Sequence, residues 1–541
     1  MQRALSRLSD ETFDLLIIGG GATGCFTARD AAMRGLKVAL IEARDFAAAT
    51  SAHNSKLAHG GLRYLRNLEI SLVRESLAER RNLQRIAPHL VRPLPFLLPL
   101  YNAGLRERLA LRAGLTLYDL LSYDRNWLDD PAQRLPGHRW FSKAEALARE
   151  PVLERPGFSG AFEYHDAQMY MPERIALECL IDADAHGGAI ANHLAAEKLL
   201  LRDGRVEGAT VRDAMSGAGF DIRAKLTLVA AGPWADLFLE QATGKAASHK
   251  LLRSKGIHLL LPSITRANAL TMEAGSGHFF VLPWRGHTLL GTTDTGFQGD
   301  PGRLGVSESD ITDFLGLVNR YLPAAGLTRS EVRFFYAGLR PLVDDGSGQT
   351  YNASRRSELV DHRQGDGLDG LFSALGGKWT TSRRLANTIT DAVVKKLGVT
   401  AKPCATATIP LPGGRFDGFA NLVKGFQKTY PGISSIRHLA HMFGARLPQL
   451  LKGAKVSDLA SLGTSGDTPA QIGFAVTSEM ALTLEDAVMR RTALGQFGPP
   501  ENPAKVADIM AGLLGWSDER KRREIESLAP LYRTEDAAWK N

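Results

Sequence analysis

Gly19, Gly21 and Gly24 stand in GxGxxG spacing, and that spacing suits one chemistry, holding a dinucleotide by its phosphates. Gly19 permits a tight turn, Gly21 lets a pyrophosphate approach the backbone, and Gly24 lets helix and strand pack closely. The helix that begins there offers free N–H groups and a partial positive charge. Glu42, about twenty residues on, can accept hydrogen bonds from ribose hydroxyls. Its charge disfavours a 2′-phosphate and so argues against NADP. A glycine turn between two ordinary strands would share the glycines; the flanking strands and the acid favour the dinucleotide.

Those residues need elements to position them. Residues 13–18 (FDLLII) are a short apolar run that suits a buried parallel strand. Residues 22–34 read as a helix of small residues ended by Gly35, and 37–41 (KVALI) as the second strand, with Glu42 at its end. Residues 47–64 (AAATSAHNSKLAHGGLRY) follow, polar, glycine-bearing and holding two histidines, where an NAD domain would continue with a compact helix and strand. Further strand-to-glycine elements occur at 225–236 (KLTLVAAGPWAD) and 371–384 (LFSALGGKWTTSRR). Ligands sit at the strand ends of open α/β sheets, so three such ends converging on one long cofactor point to FAD, its isoalloxazine reaching into a second domain.

Composition sets the frame. The 541 residues include 54 glycines and three cysteines, and about 150 residues per domain suggests roughly three domains. With 44% hydrophobic and 23% charged residues, neither disorder nor fibre is the dominant state. Cys25, Cys179 and Cys404 form no metal spacing and indicate a reducing compartment. The net charge of +8 fits an anionic substrate, an anionic membrane surface, or a solvated surface alone. The N-terminus lacks the apolar stretch of a signal peptide, and no window offers a transmembrane span. Residues 90–101 carry Arg92, Pro93, Pro95 and Pro99 and cannot form a regular helix. Residues 105–121 mix leucine with Arg106, Arg108 and Arg112; they read either as a helix docking on a bilayer or as a buried helix with a basic outer face. His438 and His441 stand at i, i+3 with no acid or cysteine nearby in sequence to complete a metal set, so no metal is expected.

The motifs IIGGGATG, TSAHNSKLAHGGLRYL, AAGPWAD, SKGIH, LPWRGHTLLGTTDT, AGLRPLVDD and GGKWTTSRRLA together resemble the FAD-dependent glycerol-3-phosphate dehydrogenases of the membrane-associated respiratory kind. The likeness runs from about residue 12 to 400. It continues more weakly through PLPGG (410–414) to AVMRRTALG (487–495). His53-Asn54 and Ala58 depart from the family pattern near the expected flavin, which bears on substrate choice more than on the flavin. The resemblance implies an α/β fold: a Rossmann-like FAD-binding domain from 1–90, 165–240 and 365–400, an antiparallel-sheet substrate cap from 91–164 and 241–364, and a C-terminal helical domain from 401–541.

It also implies a reaction, hydride transfer from C2 of sn-glycerol 3-phosphate to flavin N5, and residues to carry it. The C2 hydroxyl must lose a proton to a base with a pKa near neutrality. Histidine suits that task, and His59 (SKLAHGG) and His258 (SKGIH) are both candidates, with His165 a weaker one. Arg340 in GLRPL is implied as the main phosphate ligand and Arg355 as the second, with Arg356 one residue away as its alternative. Arg63 and Tyr64 would line the pocket, and Lys378 would stand near the flavin's pyrimidine edge or the substrate. Thr50, Ser51, Ser55, Lys56 and Leu57 would wrap the flavin, Gly232 and Pro233 would meet it from the middle strand, and Gly377, Lys378 and Thr380 would close the isoalloxazine end. The implied acceptor is a membrane quinone, or oxygen in the oxidase branch. The implied place is the cytoplasmic side of the inner membrane, peripherally attached. No nucleic-acid partner is expected, and a homodimer stays open. Two other enzyme readings share the motif set or fold, a dehydrogenase of another polyol phosphate such as erythritol phosphate and a flavin-dependent amine or amino-acid oxidase. A non-enzymatic basic protein is the reading from another class.

Overall fold

The structure is a computed structural model that describes residues 1–65, 67–245, 247–275, 277–343 and 357–538. Thr12–Ile18 lies between Val38–Ile41 and Gly219–Val229, parallel to both, and Leu371–Gly376 extends the parallel set beyond Gly219–Val229. Ala189–Ala191 flanks the other side, parallel to Val38–Ile41. The central strand is apolar along almost its whole length, with Phe13, Leu15, Leu16 and Ile17 fully buried, as a strand covered on both faces must be. Helix Ala22–Met33 packs against helices Pro172–Ala185 and Ser382–Leu397 on one face. Its alanines, glycine and cysteine permit that close approach. Strands Leu194–Arg202 and Arg205–Asp213 and helix Ala235–Thr243 cover the other.

The second sheet is largely antiparallel. Leu251–Pro262 is its hub, pairing with Phe334–Val343, His287–Gly291 and Thr295–Phe297. Gly277–Trp284, Ala269–Ala274, Val91–Tyr101 and Phe158–Met169 continue it. The proline-bearing stretch is thus a strand. Pro93, Pro95 and Pro99 all fall at odd positions, so their missing donors point to one side, where Ala269–Ala274 pairs only at Phe96 and Leu97. The ladder to Phe158–Met169 is kept.

The sheets exchange short pieces across the expected segment boundaries. Leu57–Ala58 pairs with Gln168 and Ala167 in the second sheet, and Ser357–Asp361 pairs with Leu371–Gly376 in the first. The first piece is too short to be read as a strand, and the second (SELVD) is too polar to stand out as one. Beyond residue 403 the chain is helical, with helices Phe419–Thr429, Ile436–Phe443, Pro469–Ser478, Pro503–Leu514 and Asp518–Glu526. Residues 105–121 do form a helix, but only Leu115 and Tyr118 are buried. Leu105, Leu109, Leu117 and Leu120 are 73, 55, 38 and 66% exposed, which removes the buried-helix alternative.

Candidate active site

The fingerprint glycines do what their spacing requires. Gly19 has φ +117, and a Cβ there would stand 2.5 Å from Ala230 O; one at Gly24 would stand 2.0 Å from Gly19 O. Gly21 sits in extended backbone just before the helix and offers no side chain to block an approaching phosphate. Glu42 is fixed at the end of its strand, its two oxygens accepting from Gly20 N (2.7 Å) and Arg44 N (2.9 Å). A bare glycine cradle at a helix start with a pinned carboxylate beside it fits a dinucleotide.

The polar loop after Glu42 binds the two halves together. Ala22 N donates to Ser51 Oγ at 2.9 Å, tying the loop to the dinucleotide helix. Thr50 Oγ1 donates to Leu339 O at 2.7 Å, tying it to the second sheet. Lys56 adopts φ +55. Its ammonium is buried, donating to Ala52 O and Glu173 Oε1 at 2.7 and 2.9 Å, so its backbone is what remains to face a cofactor. Leu57 is buried in its strand pairing. Gly232 and Gly377 both have positive φ, and Pro233 O accepts from Arg253 Nε. Thr380 Oγ1 accepts from His59 N at 3.3 Å, and Trp379 Nε1 donates to Ser51 O at 3.1 Å, so GGKWTT and the polar loop brace each other.

One face of the second sheet supplies a second set of groups. Ser254, Gly256 and His258 alternate along their strand and stand opposite Arg340, Gly338 and Tyr336, so all six share a face. The Arg340 guanidinium donates to Ser254 Oγ (2.9 Å), Thr292 Oγ1 (2.8 Å) and Thr293 O (3.0 Å). Asp294, which accepts from Ser254 Oγ at 2.7 Å, lies 3.6 Å from the same guanidinium. A Cβ at Gly256 would come within 2.4 Å of Arg340 Nη2 and push the guanidinium aside, so glycine here leaves room for the arginine. His258 stacks on Tyr336 with ring centroids 5.0 Å apart. Its Nε2 lies 2.8 Å from Ser55 Oγ, and its Nδ1 is buried without a partner. Burial, then the charges of Arg340, Lys56 and His53, hold its pKa well below the ordinary histidine value.

His59 stands apart from that face, among Lys378, Arg63 and Arg80. Burial and those three cations push its pKa down to about 3. Lys378 Nζ donates to Ser76 Oγ at 2.8 Å and lies 4.6 Å from the Tyr64 ring centre, with Arg63 5.0 Å from the same ring. Arg355 and Arg356 lie outside the described residues. His165 is not the notable residue of FEYHDA. Its neighbour Asp166 accepts from Gly60 N (3.1 Å), Tyr118 Oη (2.9 Å) and Arg80 Nη1 (2.5 Å) and so holds the HGG turn from behind. Ser254, Thr292, Asp294 and Tyr336 were not predicted. The first three lie in quoted motifs, whereas Tyr336 faces His258 only through strand pairing, which alternation within either segment does not give.

Two histidine clusters resemble metal sites and are hydrogen-bond networks. His438 has an acid beside it in space, though none stands nearby in sequence. Asp467 Oδ1 lies 2.7 Å from its Nε2, and Tyr170 Oη takes its Nδ1, while His441 Nδ1 bonds to His89 O. Asp45, His193 and Asp486 also converge, but Arg490 and Arg491 already neutralise the two carboxylates.

Comparison with known proteins places the chain in a family. A family model described as FAD dependent oxidoreductase matches residues 14–383, and one described as the C-terminal domain of alpha-glycerophosphate oxidase matches residues 404–521. A Synechocystis protein named glycerol-3-phosphate dehydrogenase is 36% identical, with 97% of each chain covered. One of the same name from Mycobacterium leprae is 37% identical, covering 96% of this chain and 88% of that one. The crystal structure of a Bacillus halodurans glycerol-3-phosphate dehydrogenase complexed with FAD superposes with TM-score 0.77 at 26% identity, covering 98% of both chains.

Proposed function

Because this chain belongs to the family of FAD-dependent glycerol-3-phosphate dehydrogenases, we propose that it oxidises sn-glycerol 3-phosphate at C2 to dihydroxyacetone phosphate and passes the electrons to a membrane quinone. FAD is its cofactor and supplies a hydride acceptor at N5 when bound. Gly19, Gly21, Gly24 and Glu42 hold the adenine-nucleotide half. Thr50, Ser51, Ser55, the backbone of Lys56 and Leu57, Gly232, Pro233, Gly377 and Thr380 enclose the rest, with Lys378 supplying charge.

The observation that carries this reading is the shared sheet face of Arg340 and His258. A phosphate dianion pairs with Arg340, whose fork is pre-set by Ser254 and Thr292. Nε2 of His258, on the side of Ser55, accepts the C2 hydroxyl proton. Arg340 is the foremost charge depressing His258, so a dianion bound there offsets it and raises the basicity of the imidazole when substrate is present. His59, under three cations, stays neutral and lines the wall with Arg63, Tyr64 and Lys378.

No helix among the described residues is long and apolar enough to cross a membrane. The exposed leucines of helix Leu105–Leu121, with Tyr123 and Trp127 beyond them and Arg106, Arg108 and Arg112 among them, suit peripheral docking on the cytoplasmic face of the inner membrane. Dye-linked assays with sn-glycerol 3-phosphate, erythritol phosphate and sarcosine test the substrate. Turnover confined to sarcosine would overturn the phosphate reading, and a higher kcat/KM for erythritol phosphate would replace the named substrate.

A further inference from the structure

Among the buried contacts between the helical C-terminal domain and the flavin domain (Arg174–Glu479 and His193–Asp486 are others), one centres on a carboxylate of the flavin domain itself. Asp45 is fully buried, three residues past Glu42 at the root of the polar loop. Arg490 Nε and Arg491 Nη1 both reach its Oδ2, at 2.6 and 2.7 Å, and Arg491 Nη2 reaches its Oδ1 at 2.8 Å. Asn192 Nδ2 also donates to Oδ1 at 2.8 Å. The two arginines are adjacent in sequence and both are buried, as is every residue of the helical turn Asp486–Arg491. Arg490 is held in turn by Asp486, and Arg491 Nε donates to Glu479 O.

The segment that leaves Asp45 runs directly to the dinucleotide cradle. Phe46 is buried so tightly that a Cβ on Gly20 would stand 2.9 Å from its ring, and Ala47 N donates to Gly20 O at 2.9 Å. A few residues on, Ser51 Oγ receives Ala22 N at the first turn of the dinucleotide helix. A buried carboxylate without partners destabilises its surroundings strongly. The arginines are the charged partners of Asp45, with Asn192 as its neutral one, so the root of this loop depends on them for its charge balance. We propose that Arg490 and Arg491 are positioning residues for FAD, through which the C-terminal domain fixes the loop that encloses the flavin. The flavin domain of this chain is then not self-sufficient. The proposal rests on residues 50–57 wrapping the flavin, and not on which substrate is oxidised.

The test compares two full-length holoenzyme variants, each breaking a buried ion pair of the C-terminal domain. Arg491→Met removes the fork on Asp45. Arg446→Met removes a contact to Glu479 (3.0 Å), which Arg174 still holds, and leaves Asp45 untouched. FAD dissociation is measured by recovery of flavin fluorescence, and amide hydrogen exchange is measured over residues 46–53. The expected result is a dissociation constant raised about tenfold or more in Arg491→Met, with faster exchange over 46–53, and neither change in Arg446→Met. Should Arg491→Met fail to fold, Arg491→Lys keeps the charge without the fork and is expected to show the same changes at smaller size. Unchanged flavin affinity and exchange in the Arg491 variant that folds would overturn the proposal. So would equal loss in Arg446→Met, which would mean general loosening of the domain. Neither readout uses substrate, so failure here leaves the proposed reaction standing.

Discussion

Ser254 and Arg340 face each other across two antiparallel strands, and the serine hydroxyl accepts from the guanidinium at 2.9 Å while donating to Asp294 at 2.7 Å. The arginine is thereby oriented before any substrate arrives. Thr292 and Thr293 fix its other arm, so part of the ordering entropy of binding is met in the folded protein itself.

Removing that charge should weaken binding more than chemistry. Arg340→Ala is expected to raise KM for sn-glycerol 3-phosphate by one to two orders of magnitude, since a charged hydrogen bond is worth ~1.5–3 kcal/mol. Flavin content should be unchanged. Steady-state kinetics on the purified variant check this, and an unaltered KM would refute the assigned role.

Gly256→Ala should mimic it without removing any charge. The added Cβ would fall 2.4 Å from both Arg340 Nη2 and Thr292 Oγ1, which displaces the guanidinium from its fork. KM should rise while FAD remains bound. Gly24→Ala, by contrast, meets the backbone oxygen of Gly19 at 2.0 Å, which cannot move aside, so this variant should purify with little flavin.

His258→Gln should lower kcat by roughly 10²–10⁴, the usual worth of a general base. His59→Gln should lower it far less. Rapid-reaction reduction of the flavin separates the two, and the reverse order would make His59 the base.

The histidines also set a pH dependence of stability. His53 and His59 have folded pKa values of about 3, and His258 lies well below its ordinary value, against about 6.5 in an unfolded chain. Between those limits the unfolded state binds more protons, so stability must fall as pH drops from about 6.5 toward 3. Tm measured without substrate should decline over that window, and His59→Gln should make the decline shallower.

Leu109→Glu combined with Leu120→Glu should reduce co-sedimentation with anionic phospholipid vesicles and leave dye-linked activity intact. Retained vesicle binding would place the membrane contact elsewhere on the surface.

Legibility in the sequence followed the distance over which each feature is built. The glycine fingerprint and Glu42 are local, so spacing alone located them. Arg340 and His258 emerged from motif likeness, but their relation did not, because it comes from the pairing of strands whose Ser254 and Arg340 lie 86 residues apart. Tyr336 was missed for that reason, and so was the role of Asp294, whose motif was read but whose contacts with Ser254 and Arg340 were not. The Arg491–Asp45 pair spans 446 residues and left no local trace. The helix at 105–121 was legible as a helix. Which of its faces is covered was not, since leucine suits a core and a bilayer equally.

The most direct measurement is anaerobic reduction of the bound flavin. The holoenzyme, mixed with sn-glycerol 3-phosphate in the absence of oxygen and acceptor, should lose its yellow colour, at a rate that saturates with substrate. In Arg340→Ala, half-saturation should shift to much higher concentration. A flavin that stays oxidised with sn-glycerol 3-phosphate, yet bleaches with sarcosine, would contradict the account.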